Sequence, residues 1–240
     1  MATVIELDHI AHSFGSESVI KGINMTVDKG EIFGLLGPSG AGKTTLVKII
    51  VGILKPSEGS AIVLGTPMPS LEQMKKIGFM AQSDALYSEL SGRENLDFFA
   101  TIYGLSKLQR KQRIQEVLQV VDLTSEIDKP VEKFSGGMKR RLSLAASILH
   151  QPEVLILDEP TVGIDPVLRQ SIWEELNVLK EKGATIILTT HVMDEAEKCD
   201  RLALLRDGYV IAQGTPKSLK QGIGVTTIEE AFLHYGGAVQ

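Results

Sequence analysis

The sequence predicts an α/β fold with a mainly parallel sheet, and two observations support this prediction. Short apolar runs without alternation occur at residues 31–37, 77–82, 154–158 and 185–190. Unbroken apolar character indicates strands that are covered on both faces, as in parallel sheets. Helix-like segments such as 170–182 separate these runs, and the alternation of strand and helix is typical of α/β proteins.

Both ends of the chain are expected to add antiparallel structure to this core. Residues 3–14 and 19–27 have the character of antiparallel strands, which predicts an N-terminal antiparallel β region. Near the C-terminus an Asp-Gly dipeptide at residues 207–208 lies between two strand-like runs. This dipeptide in such a context is a strong signal for a β-hairpin.

The middle of the chain is predicted to be helical. Residues 91–94 have the S-x-x-E pattern of a helix capping box. We therefore predict one domain over residues 1–240, with an α/β core at 1–83 and 151–240 and an inserted helical subdomain at 84–150. The basic residues of this subdomain are expected to form a solvated helix face: Lys107, Arg110, Lys111 and Arg113.

The composition narrows the class of protein. The chain has 240 residues, 43% of them apolar, and a fold of this size buries roughly 70–75% of its unfolded surface. Cys199 is the single cysteine, so no internal disulfide forms and a reducing compartment is expected. No signal-peptide pattern occurs and no apolar run approaches the roughly 20 residues that cross a bilayer, so a soluble protein is expected. A net charge of −5 argues against a nucleic-acid binder.

A phosphate-binding loop is the strongest signal in the sequence. Residues 37–45 read GPSGAGKTT and match G-x-x-x-x-G-K-[ST], between a strand-like and a helix-like run. The glycines let backbone N–H groups and a helix N-terminus surround a phosphate, Lys43 adds a full positive charge, and the Thr44 hydroxyl suits Mg²⁺. The predicted phosphate-binding residues are Gly37, Pro38, Ser39, Gly40, Ala41, Gly42, Lys43, Thr44 and Thr45.

Polar residues end three further strand-like runs. Asp158 and Glu159 end VLILDEP. Because adjacent side chains on a strand point to opposite faces, we expect one carboxylate to serve a Mg²⁺ shell and the other to hold an attacking water. Gln82 and His191 end two other runs at the edge where ligands of such sheets bind, although a structural role in a loop is an equal alternative for each. No role is assigned to the remaining histidines, which are His9, His12, His150 and His234.

The stretch KFSGGMKRRLSLAASILH, residues 133–150, has glycines at the start of a helix. Ser135 can act as the N-cap of this helix, whereas Gly136 and Gly137 cost it stability. We interpret the two glycines as a place where another group must come very close to the backbone.

In this order, and over nearly the whole chain, the motifs resemble the nucleotide-binding subunits of ABC (ATP-binding cassette) transporters. GPSGAGKTT is similar to the Walker A loop, VLILDEP to Walker B, and FSGGM at residues 134–138 to the signature. Gln82 falls at the Q-loop and Asp165, in VGIDP, at the D-loop. His191 matches the switch histidine, and Phe14 the aromatic residue beneath the adenine.

The resemblance implies a P-loop ATPase that binds ATP and Mg²⁺ and works as a dimer of two copies. In this family the signature of one subunit closes on the γ-phosphate held by the Walker A loop of the other. Glu159 would then polarise the attacking water, His191 would contact the γ-phosphate, and Gln82 would link the metal to the helical subdomain. The implied metal ligands are Thr44, Gln82 and Asp158. The implied nucleotide contacts outside the phosphate loop are Phe14, Ser135, Gly136, Gly137, Met138 and Asp165.

The signature departs from the family pattern at two positions. Met138 stands where Gln is usual and Phe134 where Leu is common, so a hydrogen bond from a Gln side chain is absent while backbone contacts are kept. SGGMKRRL together with ELSGRENLDFFATIYGL is similar to the branch of drug, polysaccharide and sodium exporters. The chain also ends about 50 residues after His191, which leaves no room for the regulatory domain that sugar importers often append. Both features favour an exporter.

We therefore predict the ATPase subunit of a two-component exporter, held at the cytoplasmic face of the membrane by a separate transmembrane permease. No nucleic-acid partner is expected. One alternative is a soluble ABC ATPase that acts on ribosomes or DNA, although such proteins usually carry two cassettes or a long coiled insertion. A GTPase or small-molecule kinase would leave the signature unexplained, and no N-K-x-D stretch occurs. A catalytically silent module does not account for Lys43, Asp158, Glu159 and His191 occurring together.

Overall fold

The structure, a computed structural model, describes residues 2–83 and 85–237 and contains two β-sheets surrounded by helices. The strands are β1 (Thr3–Phe14), β2 (Glu17–Asp28), β3 (Ile32–Leu36), β4 (Glu58–Val63), β5 (Thr66–Pro67), β6 (Ile77–Met80), β7 (Val154–Asp158), β8 (Thr185–Thr190), β9 (Arg201–Arg206) and β10 (Tyr209–Gly214). The helices are α1 (Lys43–Val51), α2 (Leu71–Met74), α3 (Gly92–Ile102), α4 (Lys107–Val120), α5 (Gly136–Ile148), α6 (Pro166–Glu181), α7 (Met193–Ala196), α8 (Pro216–Gln221) and α9 (Ile228–Tyr235).

The central sheet has the strand order β10-β9-β3-β8-β7-β6. β3 pairs in parallel with β8 and β9, and β7 pairs in parallel with β8 and β6, whereas β10 is antiparallel to β9. Every residue of β3, β7 and β8 is buried, because alternate side chains face two apolar clusters. Leu155 and Leu157 belong to one cluster, and Val154 and Ile156 to the other. The predicted mainly parallel α/β core is confirmed.

The second sheet is antiparallel and has the order β2-β1-β4-β5. Its apolar face, which includes Ile5, shares a core with Phe33 of β3. The hairpin between β9 and β10 turns at Asp207 and Gly208, whose φ angles are 52° and 84°, as in the type I′ turn that joins twisted strands. The backbone N–H of Lys21 donates to the carbonyl of Gly208 at 2.9 Å, so β2 contacts this turn. The antiparallel N-terminal region and the hairpin are both confirmed.

The middle segment is helical and shares its core with one side of the central sheet. α3 begins with the predicted capping box, in which Ser91 Oγ accepts from the N–H of Glu94 and the Glu94 carboxylate accepts from the N–H of Ser91. α4 begins in the same way at Ser106, with Gln109 in the third position. The apolar residues of this segment that join the cluster containing Leu155 are Leu96, Ala100, Ile114, Val117, Leu118 and Leu142.

The basic face of α4 departs from the expectation at two positions, Arg110 and Arg113, which are both partly buried. Lys107 and Lys111 are exposed, as expected. Arg113 is half-buried and donates to the carbonyls of Ile148 and Leu149, at 3.0 and 2.9 Å. These carbonyls lie at the C-terminus of α5, where the last carbonyls lack intrahelical partners, so Arg113 stabilises the end of α5.

α6 begins four residues before the predicted segment. Oδ1 of Asp165 accepts from the N–H groups of Val167 and Leu168, both at 3.1 Å, which caps the helix. Pro166 occupies the first helical position, where its missing N–H costs nothing. The Asp165 carboxylate predicted to contact nucleotide therefore also starts α6.

Residues 2–83 and 85–237 contain no helix that is both long enough and apolar enough to span a bilayer. Asp84, at the predicted start of the helical subdomain, lies outside the described residues. The division into core and subdomain at residues 84–150 stays a prediction.

Candidate functional site

The candidate site lies at the carboxyl edge of the central sheet. The ends of β3, β7 and β8 are in register, with Leu36 opposite Thr190 and Asp158 opposite Thr189. The loops that follow these strands therefore start at one edge, which is where ligands of α/β sheets bind. The predicted residues that follow β3, β6, β7 and β8 in the chain are Lys43, Gln82, Glu159 and His191, of which Lys43 begins α1.

The phosphate loop turns around the ammonium group of Lys43. Lys43 Nζ donates to the carbonyls of Gly37 at 2.6 Å and Pro38 at 3.0 Å. The side chain is 6% exposed, and burial lowers the pKa of the ammonium group while the charges of Glu159 and Asp158 oppose the shift. A buried cation is costly without a counter-charge, so an anion such as phosphate would stabilise it.

The N-terminus of α1 is open to a ligand. Its N-cap residue Gly42 has a φ angle of 99°, and no side chain caps the helix. The N–H groups of the first turn therefore lack a side-chain acceptor, and the helix dipole adds positive potential at this end. A Cβ at Gly42 would lie 2.6 Å from Ile20 Cδ1 and 3.1 Å from the Val19 carbonyl, so glycine is required here by both conformation and space.

A cavity of about 240 Å³ lies in front of this helix end. It brings the phosphate loop together with Gln82 and Glu159, as the sequence predicted. Val19, at the start of β2, also lines the cavity, and sequence reasoning assigned it no role. The lining residues are Val19, Ser39, Gly40, Gly42, Lys43, Thr44, Thr45, Gln82 and Glu159.

Glu159 is the meeting point of the polar side chains. Its Oε1 lies 3.1 Å from Nδ1 of His191 and 3.9 Å from Nζ of Lys43. Its Oε2 accepts from Nε2 of Gln82 at 3.4 Å. The backbone of Glu159 has a φ angle of 53°, a conformation that non-glycine residues adopt rarely and mostly at functional sites. The carboxylate is therefore held next to a cation, an imidazole and an amide at the mouth of the cavity.

Asp158 points to the other face of the strand end and is fully buried. Its Oδ1 accepts from the hydroxyl of Thr189 at 2.5 Å, and that hydroxyl in turn accepts from the N–H of Glu159 at 2.9 Å. Its Oδ2 is buried and has no hydrogen-bond partner among the residues that the structure describes. A buried carboxylate oxygen without a donor fits a nearby cation or a water molecule held by one. Asp158 and Glu159 therefore lie in different surroundings, and the separate roles expected for them stay a prediction.

Two polar groups that sequence reasoning missed brace the same loops. The buried carboxylate of Glu195 on α7 accepts from the hydroxyls of Thr161 and Thr190, which lie just after Glu159 and just before His191. Arg140 on α5 donates to carbonyls at the ends of β6 and β7. The sequence gives no signal for either residue, because Arg140 lies between two other basic residues, Lys139 and Arg141, and Glu195 follows the exposed Asp194.

The signature residues lie outside this cavity. Ser135 is the N-cap of α5, as predicted, and its Oγ accepts from the N–H of Met138 at 3.2 Å. Ser135 and Gly136 are exposed. A Cβ on Gly136 would meet nothing within 4 Å, and one on Gly137 would meet only the carbonyl of Gly163, at 3.7 Å. The start of α5 is therefore an open surface of the described chain, and none of these residues lines the cavity.

Phe14 and Asp165, the two remaining predicted contacts, also lie outside the cavity lining. Phe14 ends β1, is 53% exposed and makes an edge-on contact with His12 at 4.7 Å between ring centroids. A half-exposed ring is available for stacking, and its contact with adenine stays a prediction.

The fold and the phosphate loop define a P-loop nucleotide-binding protein, and comparison with known proteins makes the class specific. The family model described as "ABC transporter" matches residues 20–162. The chain belongs to the ABC transporter family of ATP-binding cassettes, as predicted.

Several relatives match over nearly the whole chain. The probable multidrug ABC transporter ATP-binding protein YbhF of Escherichia coli is 43% identical over 238 residues, which is 96% of this chain but 41% of YbhF. The Nod factor export ATP-binding protein I of Rhizobium sp. is 44% identical over 94% of this chain and 75% of its own length. The linearmycin resistance ATP-binding protein LnrL of Bacillus subtilis is 42% identical over 96% and 78%. The chain thus spans less than half of YbhF and about three quarters of the other two.

Solved structures confirm the fold. A structure described as the ATP-binding subunit of an ABC transporter superposes with a TM-score of 0.90 at 29% identity, covering 97% of this chain and 99% of that one. The cassette MJ0796, in a dimeric post-hydrolysis state bound to ADP and phosphate, has a TM-score of 0.82 at 26% identity and covers 88% of this chain and 98% of its own.

Proposed function

We propose that this chain binds and hydrolyses ATP in order to power a separate transmembrane permease, and that the assembly is an exporter. The observation that carries the proposal is the convergence of Lys43, Gln82 and His191 on the carboxylate of Glu159, which lines the cavity at the start of α1. The names of the relatives, which include multidrug, Nod factor export and linearmycin resistance proteins, support the direction of transport.

The substrate is ATP with Mg²⁺. The N–H groups at the start of α1 and the ammonium group of Lys43 bind the phosphates, and Phe14 stacks on the adenine. The residues that would bind Mg²⁺ are Thr44, Gln82 and Asp158. The buried Oδ2 of Asp158, which has no hydrogen-bond partner among the described residues, supports this assignment. When bound, Mg²⁺ neutralises charge that develops on the phosphate oxygens.

Glu159 positions the attacking water and accepts its proton. His191 lies 3.1 Å from the same carboxylate and contacts the γ-phosphate when ATP is bound. The side-chain amide of Gln82 donates to the other carboxylate oxygen of Glu159. Gln82 therefore connects the nucleotide site to the helical segment that follows it in the chain. The positive field that stabilises the transferring phosphate comes from Lys43 and helix ends, with no arginine finger required.

The substitution Glu159→Gln tests the hydrolytic role, because it keeps the shape of the side chain but removes its proton acceptor. Phosphate release by the purified chain should fall by roughly 10²–10⁴-fold, the usual contribution of a general base, while ATP binding persists. Glu153→Gln is a matched control, since Glu153 is exposed at the opposite end of β7. Unchanged turnover in Glu159→Gln would place the base on another residue.

The nucleotide site is completed by a second copy of the chain. Ser135, Gly136 and Gly137 present an open helix end that lies outside the cavity of their own chain. In the proposed dimer this end closes on the γ-phosphate bound by the partner. The relative MJ0796 has been solved as a dimer, which supports the arrangement.

A cytoplasmic helix of the permease binds beside the loop that follows Gln82, which holds this chain at the cytoplasmic face of the membrane. A largely apolar groove of about 350 Å³ lies there between β6, α3 and α5. This loop carries three large apolar or aromatic side chains: Leu86 and Leu90 are half-buried, and Tyr87 is 46% exposed. Leu86 lines the groove. Because Tyr87 is the most exposed of the three side chains, it is the one best placed to contact the partner.

The substitution Tyr87→Ala tests the docking surface. Asn95 holds the backbone of Tyr87 from both sides, at 2.8 and 3.0 Å, so the loop should keep its shape. Co-expressed with the permease of a neighbouring reading frame, the variant should lose co-purification and transport while the isolated chain keeps its ATPase activity. Tyr209→Ala is the matched control, because Tyr209 is an exposed tyrosine on β10. Normal assembly by Tyr87→Ala, or recovery of ribosomes or DNA instead of a permease, would contradict the proposal.

A further inference from the structure

Arg140 links α5 to the catalytic edge of its own chain. Its side chain is buried, with 6% exposure. Nη1 donates to the carbonyl of Ala81 at 2.8 Å and to that of Gln82 at 3.0 Å. Nη2 donates to the carbonyl of Glu159 at 2.5 Å and to that of Asp158. One guanidinium group therefore bonds to the backbone at the ends of both β6 and β7. These strand ends carry Gln82, the predicted link to the metal, and Glu159, the predicted general base.

These contacts depend on the shape of the guanidinium group. β6 and β7 are parallel neighbours, with Met80 opposite Leu157, so the carbonyls just beyond them form two adjacent pairs. The planar fork of arginine can donate to both pairs at once, whereas the compact ammonium group of lysine cannot. The carbonyl of Glu159 also belongs to a backbone at φ 53°, a conformation that persists only when its surroundings hold it.

The same helix presents the signature at its N-terminus. Ser135 lies about 7.5 Å from Arg140 along the helix axis, at a rise of about 1.5 Å per residue. A helix segment of this length moves as a rigid body. A displacement of the loops at Gln82 and Glu159 must therefore displace the start of α5, or else break the hydrogen bonds of Arg140.

We propose that Arg140 is a positioning residue that couples the γ-phosphate end of the site to the orientation of the signature in the same chain. It acts through the backbone of Gln82 and Glu159 and touches no substrate. The proposal rests on the ATPase function proposed above. It explains why a charged side chain of α5 is buried beside the ends of β6 and β7, which are followed by the predicted site residues.

Arg141 provides a matched control. It follows Arg140 on α5, and its Nη1 also donates to two carbonyls, those of Asp122 at 2.8 Å and Val121 at 3.3 Å. Both acceptors lie at the end of α4, away from the cavity. Arg141→Lys therefore removes a similar carbonyl clamp within the helical segment alone.

The test compares Arg140→Lys with Arg141→Lys in the full chain, by steady-state hydrolysis and by equilibrium binding of a fluorescent ATP analogue. We expect kcat of Arg140→Lys to fall by about tenfold or more, which is about 1.4 kcal/mol of barrier, with the dissociation constant of the analogue within about threefold of wild type. Arg141→Lys should retain kcat within about twofold. Equal kcat values for the two variants, or a parallel loss of kcat, affinity and melting temperature in Arg140→Lys, would overturn the proposal.

Hydrogen exchange on the wild-type protein provides a second test, which does not depend on whether a variant folds. Adding ATP to the monomer at low concentration should slow amide exchange at 135–138 as well as in the phosphate loop. Slowed exchange in the phosphate loop with no change at 135–138 would overturn the coupling. A wild-type chain that binds ATP but fails to hydrolyse it would refute the proposed function instead. The hydrogen-exchange measurement would still show whether ATP binding is coupled to the start of α5.

Discussion

Two helices of this protein, α1 and α5, begin at glycine-containing turns that are built differently, and the difference bears on how each helix end can bind a phosphate. α1 begins after Gly42, at φ 99°, with no side-chain cap. α5 begins after Ser135, whose Oγ caps the N–H of Met138 at 3.2 Å. The first helix end leaves its N–H groups for a ligand, while the second satisfies one of them itself.

The surroundings of the two helix ends differ as well. The start of α1 faces a cavity that also holds Lys43, Gln82 and Glu159. The start of α5 is exposed, and a Cβ added at Gly136 would meet no other group of the described residues within 4 Å. Capping uses a lone pair of the Ser135 hydroxyl, so its O–H remains a donor for a phosphate oxygen. The start of α1 therefore faces side chains of its own chain that can help to bind a phosphate, whereas the start of α5 has the open N-terminus that the proposed dimer would use for the partner's nucleotide.

The largest effect is expected at the start of α1. Gly42→Ala forces a non-glycine residue to φ 99° and places its Cβ 2.6 Å from Ile20. The free energy of unfolding should fall by about 1–3 kcal/mol, and the dissociation constant of ATP should rise about tenfold or more, which is about 1.4 kcal/mol of binding free energy. Chemical denaturation and equilibrium titration measure both. If a folded Gly42→Ala monomer bound ATP with wild-type affinity, the claim that the start of α1 binds the phosphates of its own chain would be contradicted.

A smaller effect of opposite sign is expected at the start of α5. Gly136→Ala meets no atom within 4 Å, and alanine is favoured over glycine in a helix by about 0.5–1 kcal/mol. The monomer should become slightly more stable and bind ATP as before. In a Glu159→Gln background, however, the added methyl group should weaken the ATP-dependent dimer, as seen by analytical ultracentrifugation. A less stable monomer, or an unchanged dimer, would show that Gly136 is not kept for close phosphate approach.

The smallest effect is expected at Met138, one of the two residues at which the signature departs from the family pattern. Met138 is half-buried and packs against the core cluster shared by α5 and β7, so its side chain is not free to bind phosphate. Met138→Gln should leave ATPase activity within a few-fold in a phosphate-release assay. A loss of about tenfold, or about 1.4 kcal/mol of barrier, would mean that the methionine packing sets the position of the helix end.

The parts of the site that sequence reasoning predicted are those with a local pattern. The phosphate loop, the acidic end of β7 and the capping box of α3 each occupy a few consecutive residues, and the structure has these segments where they were expected. The meeting of Gln82, Glu159 and His191 at one edge followed from the register of parallel strands.

The parts that were missed are long-range and involve backbone acceptors. Arg140 donates to carbonyls 58 and 59 residues away, and Thr189 bonds Asp158 across 31 residues. Arg113 was expected in solvent, yet it donates to carbonyls at the end of α5. Any residue supplies a carbonyl, so such contacts leave no pattern of residue types, and they can be recognised only once the sheet order brings the strand ends together.

The central claim is that Ser135 serves the nucleotide of the partner chain, and one size-exclusion experiment tests it most directly. The Glu159→Gln protein is compared with versions that also carry Ser135→Arg or Ser106→Arg. Ser106 is the matched control because it caps α4 with nearly identical backbone angles, φ −64° and ψ 160° against −64° and 163°, so both arginines remove a cap worth about 1 kcal/mol. The account predicts an ATP-dependent dimer that Ser106→Arg keeps and Ser135→Arg abolishes, with affinity of the Ser135→Arg monomer for a fluorescent ATP analogue within about threefold of the parent. Retention of the dimer by Ser135→Arg, or an affinity loss in its monomer of about tenfold, would contradict it.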